Sequence, residues 1–267
     1  MKRADALVMA ARSDPGLLRA RNEDAVFADA ARGLAVVADG IGGYVGGEVA
    51  SSMATAQLAA RIGMAADDAG PAAAAPGDHL LAAIDAANAG IYFAALDRPQ
   101  LAGMGTTLVV AWFDDNTLHA AHIGDSRLYR LRGDAFEQLT RDHSLLQEQL
   151  DSGMISAEEA RHSPNRNLVT RALGVAPVAE PDLGELPVQA GDIYLLCSDG
   201  LTDMVEPEVI GRVLRALGAN PEAAADRLVQ MANGNGGCDN VSVVVVRVQG
   251  DFAAPAGWRR KLHGHFA

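Results

Sequence analysis

Leu118-His-Ala-Ala-His-Ile123, Gly124-Asp125-Ser126 and Arg127-Leu-Tyr-Arg-Leu-Arg132 read as a strand, a three-residue connection and a second strand. Parallel neighbours in one sheet need a crossover of about a dozen residues or more. The short connection excludes that arrangement, so the sheets are expected to be largely antiparallel. Working outward, short apolar runs recur at Leu7–Ala11, Gly33–Ala38, Thr107–Phe113, Ile193–Cys197 and Val241–Val248, with a further short strand at Ala25–Ala28. Their length and β-branched content are those of strands. Val49, Met53, Ala56 and Ala60 fall on one face of a helix, and Leu80, Ile84, Ala87 and Ile91 repeat that spacing after a Gly/Pro/Ala break at 70–77. A second helical region follows Arg141. A third opens at Asn220-Pro221, where Asn caps and Pro suits the first helical position. The order predicts an α+β layered domain with helices stacked outside the sheets. No linker interrupts residues 5–248, so one domain is expected over 1–249. Residues 250–267, with Trp258-Arg-Arg-Lys-Leu262, are expected to be a flexible tail, a membrane-surface or partner contact being the alternative.

The chain of 267 residues carries 34 acidic and 22 basic side chains, a formal charge of −12. Hydrophobic residues make up 49%, enough for a core and too many for a disordered chain. The negative charge repels a phosphate backbone, which argues against nucleic acid as a partner. No run approaches the roughly 18 apolar residues of a membrane span, and the stretch from Ala6 to Ala11 is too short for a signal sequence. Cys197 and Cys238 form no disulfide framework, so a reduced, cytoplasmic setting is expected. They are expected to be small buried apolar residues, with a redox switch beside the aspartates as the alternative.

Gly33-Leu-Ala-Val-Val-Ala-Asp39-Gly40 and Asp192-Ile-Tyr-Leu-Leu-Cys-Ser-Asp199-Gly200 each deliver an Asp-Gly from the end of an apolar strand. Asp239 precedes the most apolar strand, Asp125 occupies the three-residue connection, and Glu23-Asp24 precedes the strand at Ala25. Carboxylates converging on one sheet edge repel one another unless a cation neutralises them. The chain has no CxxC, no HExxH and no dense histidine cluster, so an all-oxygen site for Mg²⁺ or Mn²⁺ is favoured over zinc or copper. The competing reading of each Asp-Gly is a turn pair. The glycines at 40, 42, 43, 46 and 47 imitate nucleotide loops, but Val45 breaks the dinucleotide spacing and Glu48 replaces the P-loop lysine. His122 reads as a hydrogen-bonded core histidine, and Asp142-His143 as a brace of the central turn.

The ordered motifs are more specific. Ser13-Asp-Pro-Gly16-Leu-Leu-Arg19-Ala-Arg-Asn22-Glu23-Asp24, Ala38-Asp39-Gly40-Ile41-Gly42-Gly43 with Gly47-Glu48, Gly103-Met-Gly105-Thr106-Thr107 and His122-Ile-Gly124-Asp125-Ser126-Arg127 come first. Thr140-Arg-Asp-His143-Ser144, Cys197-Ser-Asp199-Gly200-Leu-Thr-Asp203 and Asp239-Asn240-Val-Ser follow. In this order, over residues 8–248, the chain resembles the bacterial single-domain form of the PPM/PP2C metal-dependent Ser/Thr phosphatases. The resemblance implies a four-layer αββα sandwich of two mainly antiparallel sheets flanked by helix pairs. It implies two to three Mn²⁺ or Mg²⁺ ions: Asp39 bridging two, the Gly40 carbonyl on one, Asp199 and Asp239 completing the other, and Asp125 with Asp199 forming a third site. Glu23 and Asp24 would act through ordered waters, and Asn240 would orient Asp239 or a water. Arg19 would grip the substrate phosphate with its planar fork. In such a site a metal-activated hydroxide attacks phosphorus in line. Ile41 stands where animal members carry a candidate general-acid histidine. Proton donation is then expected from a water positioned by Asp125 or from His162, whose other reading is a solvent-exposed flap residue.

The expected function is hydrolysis of phosphoserine and phosphothreonine in proteins, opposing a eukaryotic-like Ser/Thr kinase in a bacterium. The expected molecule is a monomer whose partners are phosphoproteins. The alternative class is an inactive phosphatase-like domain that binds phosphopeptides or scaffolds. The presence of Arg19, Asp39, Asp199 and Asp239 argues against it. A phosphatase for phosphorylated anti-sigma antagonists is the third reading.

Overall fold

The computed structural model describes residues 1–42, 45–67, 74–156, 159–160 and 168–253. The strands in chain order are β1 Leu7–Asp14, β2 Ala25–Asp29, β3 Leu34–Ala38, β4 Gly40–Ile41, β5 Gly105–Thr106 and β6 Leu108–Asp114. They continue with β7 Thr117–Ile123, β8 Arg127–Arg132, β9 Ala135–Gln138, β10 Asp182–Pro187, β11 Ile193–Cys197 and β12 Val241–Val248. Among the described residues one sheet has the order β1-β12-β11-β8-β9, a second has β10-β7-β6-β3-β2, and β4 pairs with β5 alone. Every pairing is antiparallel.

The connection Gly124-Asp125-Ser126 is not a hairpin. β7 belongs to the second sheet and β8 to the first, so the turn carries the chain from one sheet to the other. Gly124, at φ +103°, makes that step possible. Asp125 is thereby held where the ends of the two sheets meet.

Three buried clusters define four layers. Helices Gly46–Asp67 and Pro76–Asp97 pack on the outer face of the second sheet through Ala54, Leu58, Ile62, Ile84 and Ile91 against Leu34, Val36 and Val110. Helices Pro207–Leu217 and Pro221–Gly234 cover the first sheet, Ile210, Leu214 and Leu228 meeting Leu195, Val243 and Val245. Between the sheets, Val37, Val109, Phe113, Tyr194, Leu196, Val244 and Val246 interlock. Antiparallel strands usually alternate apolar and polar residues because one face is wet. Here both faces are covered, which is why β3 and β12 are almost continuously apolar and read so plainly in the sequence.

The expected αββα sandwich is therefore present. The helix Pro76–Asp97 is long and apolar enough, by length and composition, to cross a membrane, which the apolar-run criterion missed. Its stripe Leu80, Ala83, Ile84, Ala87 and Ile91 is buried in the outer core of the second sheet. Packing also continues beyond residue 249: Phe252 is buried between the sheets, and its N–H donates to Asn116 Oδ1. His162 and Trp258 lie outside the described residues.

Candidate metal centre

Strand ends build the site. β3 ends at Ala38, so Asp39 emerges from the second sheet; Ala25 pairs with Ala38, which sets Asp24 beside it. In the first sheet Cys197 pairs with Val243, so Asp199 after β11 and Asp239 before β12 leave at the same end. Both Asp-Gly glycines answer to close backbone approach. A Cβ on Gly40 would stand 2.3 Å from the Gly47 carbonyl oxygen, and one on Gly200 1.9 Å from that of Asn240. Thr106 Oγ1 and Thr107 N–H both donate to the Asp39 carbonyl, and Asp39 N–H donates to Thr107 Oγ1, fixing the backbone that presents this carboxylate.

Arg19, Glu23, Asp39, Gly40, Asp125, Asp199, Asp239 and Asn240 line one cleft of about 600 Å³. Asp24 lies behind them, its Oδ2 accepting from Ser198 Oγ at 2.9 Å. The other Asp24 oxygen, Oδ1, is buried without a hydrogen-bond partner. Burial first, then Asp24, Asp199 and Asp125 in turn, hold the Asp39 carboxyl well above the usual range. Asp199 is likewise raised by burial and by Asp125, Asp203 and Asp239. Asp24 is pushed up to about 6, chiefly by burial. Asp125, 7% exposed, is also pushed up to about 6 by burial and Asp142. Burial also raises Glu23. An all-oxygen set of crowded, desolvated carboxylates with one orphaned oxygen fits a hard divalent cation such as Mn²⁺ or Mg²⁺.

Arg19 stands at the rim, its Nη2 2.7 Å from Asp239 Oδ2. The loop that carries it is held by Asn240. The Asn240 amide donates to the carbonyls of Pro15 (3.0 Å) and Arg21 (2.8 Å) and accepts from Glu23 N–H (2.8 Å). Its backbone N–H donates to Asp239 Oδ1. Asn240 thus ties the arginine loop to the metal-side aspartate, a wider part than orienting Asp239 alone.

The turn bearing Asp125 is braced as expected. His143 N–H donates to the Gly124 carbonyl, and Gly124 N–H to His143 Nδ1. Asp142 takes a bidentate grip from Arg127, with Nε and Nη2 at 2.9 and 2.6 Å. His122 bonds the Arg141 carbonyl and stacks on His143. His122, His143 and Asp182 place ligand atoms within 4.8 Å of one another, but their polar atoms are already engaged. Arg171 lies 3.3 Å from Asp182, and His143 Nδ1 accepts from the Gly124 amide. We therefore read this group as a structural clamp behind Asp125.

Sequence reasoning missed Ser198 and Ser242, which bond each other's backbone beside Asp24. It gave no role to Asp203, whose charge acts on both Asp199 and Asp125. Its place four residues after Asp199 was the available signal. Leu168, Arg171 and Val175 also line the cleft; sequence reasoning looked for specificity in a flap around residues 145–175 but singled out none of the three.

Fold and site together define a class: an αββα sandwich with a carboxylate centre at the adjoining ends of its two sheets and an arginine at its rim. The chain belongs to the protein phosphatase 2C family, whose model matches residues 19–232. It is 46% identical over 245 residues to the serine/threonine protein phosphatase PstP of Mycobacterium tuberculosis, covering 90% of this chain and 44% of that protein. The chain thus spans under half the length of that relative. It is 40% identical to the serine/threonine phosphatase stp of Listeria innocua, covering 88% of this chain and 93% of that one. The solved catalytic domain of PstP with two manganese ions superposes with a TM-score of 0.81 at 42% identity, over 92% of this chain and 99% of that one.

Proposed function

We propose that this chain is an active, divalent-cation-dependent protein phosphatase that hydrolyses phosphoserine and phosphothreonine in proteins. The observation that carries the reading is the convergence of Asp39, Asp125, Asp199 and Asp239 on one cleft, with Asp24 behind them and Arg19 at the edge. Asp39, the Gly40 carbonyl, Asp199 and Asp239 would hold the principal ions, and Asp125 with Asp199 a further one. When bound, such ions neutralise the carboxylates and supply Lewis-acid activation of water and of the phosphoryl group. Arg19 binds and orients the phosphate with its planar fork, leaving Asp239 to do so. Asn240 keeps the Arg19 loop in register with Asp239. The crowded acidic floor repels a phosphate dianion unless it is neutralised, so catalysis is expected to depend strictly on added cation. No cysteine nucleophile is needed: Cys197 is buried, with its thiol held far on the protonated side by desolvation, while Cys238, expected to be buried as well, is exposed and does not line the cleft. Ile41 at the mouth cannot donate a proton, and a water beside Asp125 takes that part, with His162 the other candidate.

The kinase that installs the phosphate on the same substrates is the expected partner, and a cytoplasmic monomer the expected form. The supporting considerations are the two unpaired cysteines and a cleft whose carboxylates and arginine all come from this one chain. The test is hydrolysis of p-nitrophenyl phosphate with Mn²⁺, Mg²⁺ or EDTA. Cation-dependent turnover supports the reading. Folded, Mn²⁺-loaded protein that binds a phosphopeptide without hydrolysing it would instead establish the binding module.

A further inference from the structure

We propose that the apolar wall of the cleft, formed by Ile41, Leu168 and Val175, selects phosphopeptides whose residues next to the phosphorylated one are apolar. The proposal deepens the phosphatase reading and rests on it. Large apolar side chains left in water in a cluster mark a contact surface. These three are 37%, 51% and 56% exposed, and all line the cleft that holds the carboxylates. Leu17 and Leu18, 66% and 71% exposed, directly precede Arg19 in the chain but lie outside the cleft lining, Leu17 N–H donating to the Gly237 carbonyl. Ile41, Leu168 and Val175 therefore share the cleft with Arg19, where the phosphate would be held.

The wall is built rather than loose. Leu145 N–H donates to the Leu168 carbonyl and Thr170 N–H to that of His143. Thr106 and Leu173 exchange both backbone hydrogen bonds, at 3.1 and 2.8 Å. Asn88, 2% exposed on the helix Pro76–Asp97, accepts from Gly174 N–H at 2.7 Å and donates to the Ala176 carbonyl at 3.1 Å. A surface fixed in advance pays little ordering entropy on binding, so its contacts count toward selectivity. A cleft of about 600 Å³ also offers far more room than one phosphorylated side chain fills.

Charge narrows the choice. Among the described residues, the cations on the lining are Arg19 and Arg171, engaged by Asp239 and Asp182. Neither is spare for an acidic neighbour of the phosphoresidue. With the floor neutralised by bound cations, uncharged apolar side chains match the wall best.

The experiment compares phosphothreonine peptides of equal length whose flanking residues are Val and Leu, Ser, or Lys, using Mn²⁺-loaded protein, with p-nitrophenyl phosphate alongside. The expected result is kcat/KM roughly tenfold higher for the apolar-flanked peptide, as one apolar side chain in a pocket typically delivers. In Leu168→Ser/Val175→Ser, KM for the apolar peptide rises about tenfold while KM for the Ser-flanked peptide stays within about twofold. Leu168→Met/Val175→Ile restores the preference. Equal kcat/KM for all peptides, or preference for the Lys-flanked one, with p-nitrophenyl phosphate hydrolysed normally, overturns this proposal and leaves the phosphatase reading standing. A double variant that loses kcat equally on every substrate shows a structural part and also overturns it. No hydrolysis of any compound overturns both.

Discussion

At the scale of single residues, the account turns on crowding. Asp39 is held protonation-prone by burial and by Asp24, Asp199 and Asp125, and Asp199 by burial and by Asp125, Asp203 and Asp239; their relief is a cation. Asp39→Asn removes one charge from that cluster. It is expected to raise the unfolding midpoint of the metal-free protein while weakening Mn²⁺ binding by at least tenfold, read by thermal denaturation and calorimetric titration. Arg19→Ala is expected to lower kcat/KM on a phosphothreonine peptide by about 10²-fold, the usual scale for deleting a donor to developing charge. Asn240→Ala strands two carbonyls and an amide around the Arg19 loop. At about 1 kcal/mol for each lost bond it is expected to cost roughly 1–3 kcal/mol in urea denaturation. Residue identities at the site were legible because Asp-Gly at the end of an apolar strand recurs and because the motifs run in order. The wide reach of Asn240 was not legible: its partners Pro15, Arg21 and Glu23 lie more than two hundred residues away in sequence.

At the scale of elements, strands buried on both faces announced themselves, and of the edge strands β1 and β2 were found while β9 and β10 were not. β3, β6, β11 and β12 are apolar almost throughout, so their ends could be placed within a residue or two. β10, Asp182–Pro187, is an exposed edge with Gly and Pro in it, and β9 is a four-residue edge, so neither carried a pattern. The helix Pro207–Leu217 starts the third helical region ahead of the cap at Asn220. That cap is real: Asn220 Oδ1 accepts from Ala223 N–H. Asn220→Ala is expected to destabilise the protein by about 1 kcal/mol without changing kcat, measured by denaturant midpoint and steady-state rates. The segment from Leu168 to Ala176 is irregular and held by His143, Thr106 and Asn88, contacts that no local pattern encodes.

At the scale of the whole molecule, two sheets pressed face to face bring their strand ends together, and the carboxylates ride on those ends. The short Gly124-Asp125-Ser126 connection excluded a parallel crossover, yet its passage between sheets depends on tertiary packing and could not be read locally. The crowding also sets a pH dependence. In the metal-free fold burial pushes Asp24 and Asp125 up to about 6, against about 3.9 in an unfolded chain. The fold then binds protons more tightly than the unfolded chain. The resulting stability is full below the unfolded value and is lost as pH rises through about 6. In EDTA, the contribution of these groups should raise the unfolding midpoint as pH falls from 8 toward 5, and saturating Mn²⁺ should flatten that slope; a flat profile in EDTA would contradict the crowding. The most direct test of the central claim is turnover of a phosphothreonine peptide by wild type and Asp39→Asn across a Mn²⁺ titration, with an EDTA control. The account predicts cation-dependent turnover in the wild type that EDTA abolishes and that the asparagine variant lacks. Turnover that survives both EDTA and Asp39→Asn would place the chemistry somewhere other than this cluster of carboxylates.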